Sequence, residues 1–345
     1  KRATVSLGYI GFYEGIQYIL FVVETFKDVR LVGAPPSAIG KFGSDTDNWV
    51  WPRHTGDFSL FRIYADKNNR PAEYSKDNVP YTPKHYLPIS IKDKKEGDFT
   101  FVFGFPGRTT EYLPAIAVEK IMNEIDPAMI IVRDTALKIL NEKMRADDAT
   151  RIKYASKYAR IANAWKKWIG EVEGLKKSNA VDKKRQYEAN LIAKNPEIKN
   201  TIEKLDQLYN EQAPYALNRA YFLELVRNAE TLTLAGNFAN YLELAEAGKV
   251  DSNYLKNLKN KLKAFYKDYD ANLDAKVTAK LLNLYANKAP EQFLPFGFKN
   301  YRNEAETLKD FEEFSNNSII TGKKEINGAT IYSDIDKVFE NQEDR

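Results

Sequence analysis

The sequence has no cysteine, which excludes disulfide frameworks, thiolate zinc sites and cysteine nucleophiles together. It has only two histidines, His54 and His85, and no paired-histidine zinc motif. Walker loops, Rossmann fingerprints and calcium loops are missing too, so neither nucleotide nor metal chemistry has a motif to stand on. Long apolar runs are also lacking: the longest, residues 18–23, falls far short of the roughly 20 residues that cross a bilayer. Lys1 and Arg2 ahead of an apolar stretch imitate a secretion signal, but Glu14, Gln17 and Glu24 interrupt it and no small-residue cleavage site comes after. Neither sign of charge dominates. Lys and Arg number 52 against 48 Asp and Glu, a balance that solubilises a surface without marking a nucleic-acid partner.

The chain has 345 residues at 43% hydrophobic content, enough for two domains with a core each. It opens on Lys1 rather than methionine and leads into an apolar, strand-like run, which suggests a piece of a longer protein. Residues 17–34 read as two strands rich in Ile, Val, Phe and Tyr, joined at Lys27 and Asp28 as a hairpin and stopped by Pro35 and Pro36. Residues 58–64 and 99–103 are further strand candidates, the second running into Gly104, Pro106 and Gly107.

After residue 112 the texture changes, and Ala, Leu, Lys and Glu at helical spacing take over. Asp126 is the expected N-cap of a helix, with Pro127 at its first position and Ile130, Leu137, Leu140 and Met144 on its core face. A long helix is expected over residues 149–177. Pro196, Pro214, Gly236 and Gly248 punctuate the rest of the helical part, with helices over 252–269, 272–286 and 304–314. Strands first and a block of helices after imply an α+β chain with segregated parts, not alternating βαβ units.

The stretch most loaded with chemistry is residues 40–65, GKFGSDTDNWVWPRHTGDFSLFRIYA, a loop leading into a strand. Asp57 stands at the mouth of that strand, a position from which a carboxylate can orient a histidine and stabilise the imidazolium formed in acyl transfer. His54 and Ser59 do not complete a local triad with it. His54 lies three residues away in tight loop, and Ser59 sits inside the strand, away from any glycine-rich turn that could form an oxyanion hole. His85 reads as a surface or packing histidine, and Ser315 and Ser318 lack the flanking glycines of a nucleophile turn.

Residues 31–65, LVGAPPSAIGKFGSDTDNWVWPRHTGDFSLFRIYA, closely resemble the signature of the bacterial dipeptidyl-peptidases seven and eleven, serine exopeptidases with a chymotrypsin-like double β-barrel and an inserted helical cap. Residues 161–168, IANAWKKW, resemble the asparagine-bearing cap helix of the same family. The resemblance implies part of a chymotrypsin-like β-barrel over residues 1–112, a large all-α cap domain over 113–300, and the end of the cap or a return segment over 301–345. It puts Asp57 in the place of the catalytic aspartate, and Asn48, Trp49, Arg53 and Asn163 around the substrate's amino-terminal end.

The family's histidine is expected before Lys1 and its serine, in a Gly-Asn-Ser-Gly context, beyond Arg345, so the fragment alone is expected to be inactive. The resemblance implies oligopeptides with a free N-terminus as substrates, and a homodimer in the periplasm or cell envelope that works without metal or organic cofactor. The competing reading is a non-catalytic peptide-binding or scaffold relative of the same fold.

Overall fold

The structure is a computed structural model that describes residues 5–12, 15–40, 42, 54–101, 110, 112–326, 328–330, 333 and 337. The chain divides into two units, Lys1–Arg108 and Thr109–Arg345.

The first unit holds β1 (Val5–Phe12), β2 (Gln17–Glu24), β3 (Asp28–Gly33), the single helical turn α1 (Ser37–Gly40), β4 (Leu60–Ala65) and β5 (Val79–Pro80). The expected hairpin over residues 17–34 does not form. β2 pairs instead with β1, antiparallel from Val5 opposite Glu24 to Phe12 opposite Gln17, while β3 joins β4 and β5 in a second sheet. Asp28 explains the difference. It is the first residue of β3, not a turn residue, and its buried carboxylate accepts from Arg30 Nε at 2.9 Å, Arg30 Nη2 at 2.8 Å and Asn78 Nδ2 at 2.8 Å. The Arg30 guanidinium holds that carboxyl well below the usual carboxylate range, and its own face lies 3.7 Å over the Tyr64 ring of β4.

A strand expected over residues 99–103 is not there in its described part: residues 99–101 are unpaired, and 102–103 lie outside the described residues. Among the described residues the strands form sheets of two and three strands and close no barrel. Much of their apolar surface is open, with Tyr9, Tyr18, Leu20 and Val22 all more than 60% exposed. Two-stranded ribbons cannot bury both faces by themselves.

The second unit is helical. It begins with α2 (Ala115–Lys120), which runs through a π-turn, Ile121–Ile125, into α3 (Asp126–Ala146). Asp126 is therefore inside a continuous helix, and the expected N-cap there is corrected. Pro127 is the physical reason for the irregularity, since it has no N–H to donate. The preceding N–H, on Asp126, reaches back five residues to Ile121 O and so widens the turn.

The remaining helices are α4 (Asp148–Lys177), α5 (Ala180–Lys194), α6 (Lys199–Asn228), α7 (Glu230–Glu246), α8 (Ser252–Lys267), α9 (Ala271–Lys288) and α10 (Glu304–Asn317). Pro214 and Gly236 were expected to break helices, yet they lie inside α6 and α7. The main core joins Ala128, Val132, Ala136 and Leu140 of α3 to Tyr154 of α4, Leu225 of α6 and Val277, Leu281 and Tyr285 of α9. The i, i+4 spacing on α3 puts its small and branched residues on one stripe, which lets α4 and α9 approach closely. A second cluster forms around Leu258, Leu262 and Tyr266 of α8 with Leu234 of α7.

Candidate functional site

Asp57 sits in the extended segment just ahead of β4. Its backbone is positioned by α1, where Ile39 N–H and Gly40 N–H donate to Pro36 O at 2.9 and 3.0 Å, and Ile39 O then accepts from Gly56 N–H at 3.1 Å. Glycine at position 56 permits this approach, because a Cβ there would lie 3.2 Å from Ile39 Cγ2, while one at position 40 would lie 3.3 Å from Pro35 Cγ, both tighter than packed side chains normally come. Asp57 is thus one residue beyond a fixed backbone contact, with its carboxylate exposed.

Among the described residues no hydrogen bond joins Asp57 to His54, whose ring instead meets Phe42 edge-on at 6.2 Å. His85 is exposed and stacks on Tyr86 at 6.5 Å. Asn48, Trp49 and Arg53 lie outside the described residues.

Asn163 belongs to the second unit, exposed on α4. That helix is started by Asp147, whose carboxylate accepts from Thr150 N–H at 2.9 Å, and is held in register by buried Tyr154 and Ala162. Two residues before Asn163, the carbonyl of Ile161 accepts a second bond, from Arg133 Nη1 of α3 at 3.0 Å. The same guanidinium lies 4.7 Å over the Trp168 ring, one turn beyond Asn163. Glu224 of α6 fixes it in turn, accepting from Arg133 Nε at 2.6 Å and from Nη2 at 3.3 Å.

Sequence reasoning missed this clamp. Arg133 breaks the apolar stripe of its helix, which is a weak signal, and nothing local announces that a carboxylate 91 residues on will meet it. It also missed Asp126 as a titrating group. Asp126 is 3% exposed, and burial, with the Glu171 charge adding and Lys167 opposing, pushes its carboxyl up to about 7. Its Oδ2 and the buried Nε1 of Trp165 have no hydrogen-bond partner among the described residues. Among those residues no three His, Asp or Glu side chains gather as a metal would require, and no helix is long and apolar enough to cross a membrane.

The comparisons with known proteins agree on one family. The chain is 54% identical over 299 residues to an Asp/Glu-specific dipeptidyl-peptidase of Flavobacterium psychrophilum, covering 84% of this chain and 42% of the relative. It is 53% identical over 331 residues to an Asp/Glu-specific dipeptidyl-peptidase of Capnocytophaga gingivalis, covering 93% and 46%. Dipeptidyl-peptidase 7 of Porphyromonas gingivalis is 44% identical over 296 residues, covering 84% and 41%. The chain thus spans under half the length of these relatives. A crystal structure of Porphyromonas endodontalis DPP11 in complex with the dipeptide Arg-Asp matches all of this chain and 49% of its own, with a TM-score of 0.69 at 32% identity. The family profile described as peptidase S46 matches residues 7–344, and this chain belongs to that peptidase family.

Proposed function

We propose that this chain is part of a serine dipeptidyl-peptidase that releases dipeptides from the free N-terminus of oligopeptides by acyl-enzyme chemistry. The observation that carries the reading is Asp57, an exposed carboxylate on backbone pinned by the Gly56–Ile39 hydrogen bond beside the side-chain-free Gly40. In this role Asp57 accepts the Nδ1–H of a histidine outside these residues, sets its tautomer and stabilises the imidazolium that forms as a serine, also outside them, attacks the scissile carbonyl.

In the same reading, which rests on the motifs at residues 31–65 and 161–168, Asn48, Trp49, Arg53 and Asn163 serve to recognise the substrate's α-ammonium. Side-chain amide oxygens accept from that ammonium and register the cleavage two residues in, which is what separates release of dipeptides from general proteolysis. The unpaired apolar faces of β1 and β2 support the reading that further strands of the whole protein complete a chymotrypsin-like barrel around them. The names of the two relatives above half identity support a preference for Asp or Glu at the second substrate residue. A periplasmic or cell-envelope setting and a homodimer belong to the same reading.

The experiment is steady-state kinetics of the whole protein on fluorogenic dipeptidyl amides that differ only in Asp or Met at the second position. Asp57→Asn should lower kcat by about 10⁴-fold. Asn163→Ala should act mainly on KM. Full activity in the Asp57 variant removes the catalytic assignment, and peptide binding without dipeptide release by the unaltered protein selects the non-catalytic relative.

A further inference from the structure

The helical unit contains a cavity of about 490 Å³ between α3, α4, the α6–α7 junction and the α8–α9 junction, and none of its lining residues belongs to the proposed peptidase site. Its floor and its mouth differ in charge. The carboxylates of buried Asp274 and half-buried Glu230 are committed to partners in the protein. Asp274 accepts from Glu230 N–H at 2.8 Å, Thr231 N–H at 2.8 Å and Tyr269 O–H at 3.2 Å, besides the Thr231 hydroxyl. Glu230 accepts from Tyr154 O–H at 2.9 Å and Lys157 Nζ at 2.5 Å. Arg133 is equally committed, with Nε and both Nη atoms donating to Glu224 and Ile161 O.

The side chains at the mouth are not committed in this way. Arg160 is exposed and makes no ion pair among the described residues, and its charged helical neighbour one turn back is another cation, Lys157. Arg227, 60% exposed, donates only through Nη1 to Glu224 at 3.2 Å, which leaves most of its fork unused. Asp268 lends its backbone carbonyl to Lys157 at 2.6 Å, while its half-buried carboxylate makes no hydrogen bond among the described residues. The wall between these poles is apolar and includes Ile161, Phe265 and Val277.

Uncommitted guanidinium donors, one uncommitted carboxylate and an apolar wall select a small zwitterion over an inorganic anion or a neutral solute. We infer that this cavity is a binding site for an apolar dipeptide or amino acid, whose carboxylate lies between Arg160 and Arg227 and whose ammonium faces Asp268. The assignment is separate from the amine pocket proposed around Asn163 and stands whether or not that pocket is correct.

Calorimetric titration of the 345-residue chain with leucyl-leucine tests it, with leucyl-leucinamide and 4-methylpentanoyl-leucine as probes that each lack one pole. Leucyl-leucine should bind saturably, and each probe lacking a pole should bind about tenfold more weakly. In the double variant Arg160→Gln, Arg227→Gln, leucyl-leucine should fall to the level of its amide. In Asp268→Asn it should fall to the level of the deaminated probe. Ala264→Phe should abolish binding by filling the cavity. The three polar substitutions are at exposed or half-buried positions, so an unaltered melting temperature without ligand certifies their fold. Absence of saturable heat with leucyl-leucine, or equal affinity in the double arginine variant, overturns the inference. Loss of binding in Asn163→Ala alone assigns the dipeptide to the amine pocket and overturns it as well.

Discussion

Arg133 and Glu224 stand 91 residues apart in sequence and meet at 2.6 Å, with the Glu224 side chain 1% exposed and that of Arg133 11% exposed. The carboxylate is fully satisfied, since Asn228 Nδ2 and Arg227 Nη1 donate to it at 3.1 and 3.2 Å. A buried pair of this kind is weak support for stability in itself, because desolvation offsets most of the Coulomb attraction. Removing one partner is another matter.

Arg133→Met leaves a buried carboxylate with its principal counter-charge gone, and should cost about 3–5 kcal/mol. Glu224→Leu should cost about as much by orphaning the guanidinium. The double variant should recover most of the loss, as apolar replacements of similar volume remove both desolvation penalties. Urea unfolding followed by circular dichroism at the helical band checks this, because the clamp lies wholly within the helical unit. Additive losses in the double variant would mean that the two side chains act independently.

Gly236 lies in the interior of α7, and a Cβ built on it meets nothing within 4 Å. Glycine there has a cost in chain entropy and no steric purpose. Gly236→Ala should therefore stabilise the helical unit by about 0.5–1 kcal/mol. Gly297 is the contrasting case: it also has open space around it, but its φ of +83° is one that L-residues resist, so Gly297→Ala should destabilise. Thermal melts of the two variants should move in opposite directions.

Local pattern in the sequence reveals most helices and several strands but not their partners. Residues 149–177 read as one helix from spacing alone, and α4 runs from Asp148 to Lys177. The apolar alternation that identifies β2 and β3 says nothing about what they pair with. Asp28 looks like a turn residue until Arg30 and Asn78, the latter 50 residues on, enclose its carboxylate. Pro214 and Gly236 look like helix ends because their local penalties are real, about 3 and 1 kcal/mol. Buried neighbours such as Ala220, Tyr221, Leu225 and Leu234 supply more than that in packing. Asp57 and Asn163 could be singled out from the sequence because each lies in a contiguous stretch, the long residues 31–65 and the short IANAWKKW. Arg133, Glu224 and Asp126 were not, since their character comes from burial by distant elements.

Asp126 makes the stability of the fold depend on pH. Its carboxyl titrates near an ordinary 3.8 when the chain is unfolded and at about 7 when folded, because burial penalises the charge and Glu171 adds to the penalty against Lys167. Between those values the folded protein retains a proton that the unfolded chain has released, so stability falls as pH rises through that window. Below it both states are protonated, and above it both are ionised, so this group contributes no slope at either end.

The fall should amount to about 1–3 kcal/mol between pH ~4.5 and ~7, the full shift being reduced by residual solvent access. Asp126→Asn keeps the shape, has no charge to bury, and should be more stable than the parent at neutral pH with the difference vanishing towards pH ~4. Unfolding free energies of both proteins across that range decide the matter. Parallel profiles would mean that Asp126 stays ionised in the fold.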